Sequence, residues 1–111
     1  MTALPPTIPH LAEASAARFG DAPAILDGGE SWSYARLWRE VRIAASALIA
    51  RGIGAGDRVA IWAPNRREWI VAAIAVQAAG GAIVPLNTRL KGREAADILE
   101  RTAARLLFTV G

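Results

Sequence analysis

Residues 58–90 read RVAIWAPNRREWIVAAIAVQAAGGAIVPLNTRL, and this stretch decides the fold. RVAIWA (58 to 63) is a short apolar run of strand length, and AIVPL (82 to 86) is a second. Between them REWIVAAIAVQAAG (67 to 80) is apolar nearly all round, with Trp69, Ile70, Val71, Ile74 and Val76, so the spacing predicts a helix buried on more than one side. Strands joined by a helix of this length pair in parallel with a right-handed crossover. The second strand stops at Pro85 and Leu86 and then presents an amide, a hydroxyl and a guanidinium: Asn87, Thr88 and Arg89. In open parallel sheets, ligands bind at that carboxyl edge.

Toward the carboxyl terminus the alternation continues. GREAADILERTAA (92 to 104) is a second helix and RLLFTV (105 to 110) a third strand, which completes a βαβαβ unit. Asp97 and Glu100, set between Arg93 and Arg101, read as intrahelical ion pairs. The helix at 67–80 beside three strands is expected to lack full cover within this length of chain.

Toward the amino terminus, GIGAGD (52 to 57) is a loop. Before it, a helix runs from Ser33 to about Arg51 with Leu37, Val41, Ala44, Ala45 and Leu48 on one face and Arg36, Arg39, Glu40 and Arg42 on the other, closed by Gly52. Strands 24–27 and 30–34 flank Gly28-Gly29, a pair suited to a tight hairpin. Thr7 caps a first amphipathic helix with Ile8, Leu11, Ala12, Ser15 and Phe19 at helical spacing, Pro9 in its first turn and Gly20 as its stop. His10, in that first turn, reads as exposed.

Composition narrows the function. The 111 residues hold no cysteine and one histidine, which leaves no disulfide scaffold, thiolate, histidine metal cluster or Ser-His dyad. The net charge is +3, with ten acidic residues mixed among scattered arginines, so no nucleic-acid surface is expected. The apolar run from Trp69 to Val84 is broken by Gln77 and Gly80-Gly81, so no transmembrane span is expected. MTALPPTIPH lacks a basic segment followed by an apolar core, which points to a cytoplasmic protein.

A dinucleotide site would place glycines after the first strand. Here GIGAG (52 to 56) precedes it, the turn Ala63-Pro64-Asn65-Arg66-Arg67 has no glycine, and no G-x-x-x-x-G-K-S/T occurs. Arg66 and Arg67 stand at a helix start, as an anion contact or as a solvated pair near Glu68. Asn87 and Thr88 suit a turn for backbone reasons alone. Arg89, past the end of a parallel strand, is the residue whose guanidinium fork is placed to meet a phosphate-bearing ligand.

The helix TIPHLAEASAARFGDAPAI, the phrase WSYARLWREV, and GDRVAIWAPNRREWIVAAIAVQAAGGAIVPLNTRLKGREAADILERTAARLLFTV together resemble the amino-terminal segment of class I adenylate-forming enzymes, and among them acyl-CoA synthetases. The likeness covers almost the whole chain and is nearest to the bacterial ligases that activate a propanoate-bearing ring fragment in steroid degradation. It implies an α/β fold in which the amino-terminal helix, hairpin and βαβαβ unit, residues 1–111, form part of the large N-terminal, AMP-binding domain. For a longer protein it implies joining of a carboxylic acid to ATP, with Mg2+, to give an acyl-adenylate, then attack by CoA with release of AMP.

The motifs that perform those steps, a Ser/Thr/Gly-rich loop ending in Pro-Lys-Gly, Tyr-Gly-x-Thr-Glu, a ribose-binding aspartate and a late lysine, do not occur in these residues. No catalytic residue is therefore assigned, and the isolated chain is expected to be inactive and to bind none of these cofactors tightly. SYARL resembles the family's Thr/Ser-Tyr-x-Glu-Leu, with Arg36 where the glutamate of a capping box stands. AAGGAIVPLNTRL resembles the segment whose arginine contacts the nucleotide end of CoA, which implies that role for Arg89, with Asn87 and Thr88 shaping its turn. A homo-oligomer is left open. The competing reading is a stand-alone small α/β domain that binds a partner or a nucleotide without catalysis.

Overall fold

A computed structural model describes residues 7–27, 29–64 and 66–109. The order is α1 (Ile8–Phe19), β1 (Pro23–Asp27), β2 (Glu30–Ser33), α2 (Tyr34–Ala50), β3 (Arg58–Trp62), α3 (Arg67–Ala78), β4 (Ala82–Pro85), α4 (Gly92–Thr102) and β5 (Leu106–Thr109). Each expected element is present, with ends drawn in by at most two residues, except that β1 begins one residue earlier, at Pro23, and Tyr34 opens α2 instead of closing β2. Gly28 of the expected turn, Asn65 of the expected loop and Val110 of the expected last strand lie outside the described residues.

β1 and β2 form an antiparallel hairpin, and β3 is the centre of a separate parallel sheet in the order β4-β3-β5. Because side chains alternate along a strand, β3 divides the core in two. Val59 and Ile61, both fully buried, face the α2–α3 side, where Val59 clusters with Val41, Leu48, Ala75 and Val76, and Ile61 with Ala63, Ala72 and Ala73. Ala60 faces the other way, onto Leu86 and Ala95 of the layer under α4. The two crossover helices thus lie on opposite faces of the sheet.

The apolar helix is covered in part: Trp69, Ile70, Val71 and Ile74 stay half-buried, as the expectation of incomplete cover had it, but α2 and α1 add cover that the sheet alone does not supply. α3 is packed on one side against β3 and β4 and on the other against α2 and α1, with Ala72, Ala73, Ala75 and Val76 buried. α1 does this without burying any of its own residues: Ile8, Leu11 and Phe19 stay about half exposed. The large apolar side chains left open lie on outer surfaces, with Ile43 and Ile49 on α2, Leu26 on β1 and Leu107 on the outer strand β5. No described helix is long and apolar enough to cross a membrane.

The helix ends follow the chemistry of their residues. Thr7 caps α1 by accepting the His10 N–H, and the exposed His10 ring also contacts the Thr7 hydroxyl at 2.7 Å. Ser33 Oγ accepts the Arg36 N–H at 3.1 Å. With no glutamate to reach back, Arg36 instead lays its guanidinium over the Trp32 ring, 4.3 Å from the centroid. On α4, Asp97 pairs with Arg101 at 2.9 Å.

Between α3 and β4 the chain passes close against the loop before β3. Gly80 takes φ +89°, and its carbonyl accepts the Gly56 N–H at 3.0 Å. At Gly81 an added Cβ would stand 2.9 Å from the Asp57 carbonyl and 3.1 Å from Val76 Cγ1. Gly81→Ala should therefore destabilise the chain by about 1–3 kcal/mol through overpacking. Gly92→Ala, where a Cβ meets nothing within 4 Å, should stabilise it by about 0.4–1 kcal/mol. Urea unfolding of both variants checks the contrast.

Candidate functional site

The candidate site is built where β3 and β4 end. β3 hands over to α3 on one face of the sheet and β4 to α4 on the other, so the carboxyl ends of these neighbouring strands part and leave a crevice, the arrangement that favours ligand binding in open parallel sheets. A hollow of about 360 Å³ lies there, lined by Ala63, Pro64, Trp69, Pro85, Leu86, Asn87 and Thr88. A second, of about 310 Å³, lies beside it, lined also by Trp62 and Thr109, with Ala63, Pro64 and Thr88 common to both.

The turn that carries the three polar residues is ordered from β3. The Leu86 N–H donates to the Ile61 carbonyl at 2.9 Å, extending the sheet by one rung. The Asn87 carbonyl then accepts the Trp62 Nε1–H at 3.1 Å and the Leu90 N–H at 3.0 Å. Asn87 Oδ1 accepts the Arg89 N–H at 2.9 Å, the Asx geometry that suits asparagine to turns. Two residues on, the Lys91 N–H donates to Glu94 Oε1 at 3.1 Å and opens α4.

Asn87 and Thr88 line the hollow, whereas Arg89 stands beside it, exposed, with no partner for its guanidinium among the described residues. Arg89 is not alone in following a parallel strand: Arg66 and Arg67 follow β3. Arg67 turns away to the hairpin, pairing with Glu30 at 2.7 Å and Glu68 at 3.5 Å and lying 5.5 Å from the Trp32 ring. The nearness of Glu68 was part of one of the two expected readings; Glu30 and Trp32 were in neither. Sequence reasoning also missed Trp62 and Trp69. The signal for Trp62 was its period-two spacing from Ala60, which sets it on the α4 face at the end of the strand.

An ionic cluster at the opposite, amino edge of the sheet is structural. Asp57 Oδ2 accepts the Gly54 N–H at 2.8 Å and Arg105 Nη1 at 2.9 Å, and the same Arg105 nitrogen donates to the Gly52 carbonyl at 3.0 Å. The Gly54 N–H, aided by Arg105 and opposed by partial burial, holds the Asp57 carboxyl below its ordinary value.

With the geometry in view, the comparisons agree. The family model for AMP-binding enzymes matches residues 12–111, and the chain belongs to that family. It is 40% identical over all 111 residues to a 7a-methyl-1,5-dioxo-octahydroindenyl-propanoyl:CoA ligase of Rhodococcus jostii strain RHA1, and 42% identical over 105 residues, 95% of the chain, to the ligase of the same description from Mycobacterium tuberculosis strain H37Rv. The chain spans only 22% and 21% of the lengths of those two relatives. Among solved structures, the inhibitor-bound N-terminal domain of FACL13 from Mycobacterium tuberculosis superposes with a TM-score of 0.87 at 27% identity, over 92% of this chain and 26% of that one. The N-terminal subdomain of Klebsiella oxytoca NpsA gives 0.85 at 24% identity, over 92% of this chain and 26% of that one, a likeness of fold.

A carboxylate whose folded-state pKa is depressed contributes stability above its unfolded value and loses that contribution as the pH falls through the folded one. Asp57→Asn should therefore lower the melting temperature at pH 7, and the gap from the unaltered chain should close as the pH falls below about 4. Thermal melts of both proteins from pH 7 to pH 2.5 check it.

Proposed function

We propose that residues 1–111 are the leading part of the large domain of an ATP-dependent acyl-CoA ligase and that the turn Asn87–Arg89 receives the nucleotide end of CoA. In the proposed reaction a carboxylate attacks the α-phosphorus of ATP and displaces pyrophosphate; the CoA thiol then attacks the acyl carbonyl and AMP leaves. Supporting this reading are the family match and two relatives, CoA ligases by description, aligned along nearly the whole chain. The acid these relatives are named for bears a propanoyl chain on a fused bicyclic ketone, and a ring-bearing propanoate is the class proposed here.

The observation that carries the site is the Arg89 guanidinium, exposed and without a partner among the described residues, on a turn whose backbone is already ordered. A guanidinium fork matches a phosphate in two parallel hydrogen bonds, so the residues present fit that end of CoA. ATP and Mg2+ would be held by other parts of the longer enzyme, and these 111 residues by themselves would be inactive. A second reading, a small α/β domain that folds and binds by itself, draws support from the cover that α1 and α2 give α3.

A chimera in which this chain replaces the matching segment of the Rhodococcus jostii ligase separates the two readings. An active chimera is expected under the first. In it, Arg89→Ala should raise the KM for CoA by about ten- to a hundredfold, the range for a charged hydrogen bond, and leave ATP–pyrophosphate exchange unchanged. Equal loss in both half-reactions would refute a CoA contact. An inactive chimera alongside a monomeric, cooperatively melting isolated chain would favour the second reading.

A further inference from the structure

The turn at the carboxyl edge depends on one oxygen. The Asn87 carbonyl has two lone pairs, and both are in use: one for the Leu90 N–H within the turn, the other for the Trp62 indole N–H from β3. The first bond closes the turn on itself. The second ties it to the central strand, one residue beyond the rung that joins Leu86 to Ile61.

The donor is itself held. Trp62 is half-buried and packs against the cluster of Ala60, Leu86 and Ala95, onto which Leu90 also packs, so its ring is held by the same layer that takes in both flanks of the turn it bonds. A backbone rung fixes a strand only as far as the strand continues, and this one ends at Pro85. Beyond it, the orientation of Asn87, and through the Asx bond that of Arg89, rests on where the Asn87 carbonyl points.

We infer that Trp62 is a positioning residue: its indole N–H fixes the Asn87 carbonyl and so sets the conformation of the Thr88–Arg89 segment that faces the ligand. Its consequence for CoA rests on the reading above of Arg89 as a phosphate contact. A residue that served only the core would show itself in stability alone. A positioning residue shows itself in the turn and in the affinity for what the turn binds.

Trp62→Phe keeps an aromatic ring and removes the donor. In the 111-residue chain, the backbone amide resonances of Thr88, Arg89 and Leu90 should move, while that of Gly54, at the far edge of the sheet, should not. In the chimera the variant should raise the KM for CoA by about three- to tenfold, the size of one neutral hydrogen bond. Pyrophosphate exchange should be unchanged, and the variant should add nothing further in an Arg89→Ala background.

Turn amides that stay in place would overturn the inference, as would an unchanged KM in Trp62→Phe where Arg89→Ala raises it, or equal loss in both half-reactions. Amides that move while neither substitution alters the KM would support the hold of Trp62 on the turn and refute CoA as its ligand. Should Trp62→Phe fail to fold, hydrogen exchange of the unaltered chain decides: the Trp62 indole hydrogen is expected to exchange more slowly than that of Trp69, and equal rates would overturn the inference.

Discussion

Every layer of this molecule depends on β3 having parallel partners on both edges and apolar cover on both faces. A strand so placed cannot show a polar face to water, and β3 does not: Val59 and Ile61 are sealed on one side and Ala60 on the other. Because β4 and β5 lie on opposite sides of β3, two right-handed crossovers can be made only with α3 and α4 on opposite faces. The crevice at the carboxyl ends of β3 and β4 follows from that topology, before any side chain is chosen to line it. Ala60 and Ala95, meeting under α4, add a steric condition, since two methyl groups are what let that helix approach the sheet.

The layers were legible because they are written in periodicity. The apolar stripe of α2, the all-round apolar α3 and the strand-length runs on either side of it need no tertiary information to be read, and Thr7, Ser33 and Gly52 mark boundaries through backbone chemistry alone. The site was legible only in part. Asn87, Thr88 and Arg89 stood out because they follow a strand, but the bond from Trp62 crosses 25 positions and that from Arg105 to Asp57 crosses 48. Pairings at such separations leave no local pattern. The contact of α1 with α3 escaped for a related reason: α1 buries none of its own residues, so nothing in its apolar stripe advertised the contact.

Arg36 shows how a departure from a local rule can be offset by a neighbour. A capping box would return one hydrogen bond to the Ser33 backbone, worth about 0.5–1.5 kcal/mol. In its place the guanidinium covers the ring of Trp32, a contact worth about 0.5–1 kcal/mol or more when desolvated, and Trp32 is only 8% exposed. The two are of one size, so the exchange need not cost the helix its start. It also joins α2 to the hairpin, and Arg67, near the same indole and paired with Glu30, joins α3 to it as well. The hairpin, which has no strand in common with the main sheet, is held to it through these side chains and through the packing of Ile25 against the core.

The two edges of the sheet use arginine in opposite ways. At the amino edge Arg58 donates to the Thr102 carbonyl, tying the start of β3 to the end of α4, and Arg105 to both Asp57 and the Gly52 carbonyl, tying the start of β5 to the loop before β3. Exposed pairs of this kind add little energy one at a time, but they fix geometry, and they commit one nitrogen of each guanidinium to the fold. At the turn after β4 the order is inverted: the backbone is fixed by neutral bonds through Asn87, and the Arg89 guanidinium has no partner among the described residues. Ordering a backbone without spending its cation suits the phosphate contact proposed for this turn, because the entropy of arranging it is then met before a ligand arrives and the charge is still available when one does.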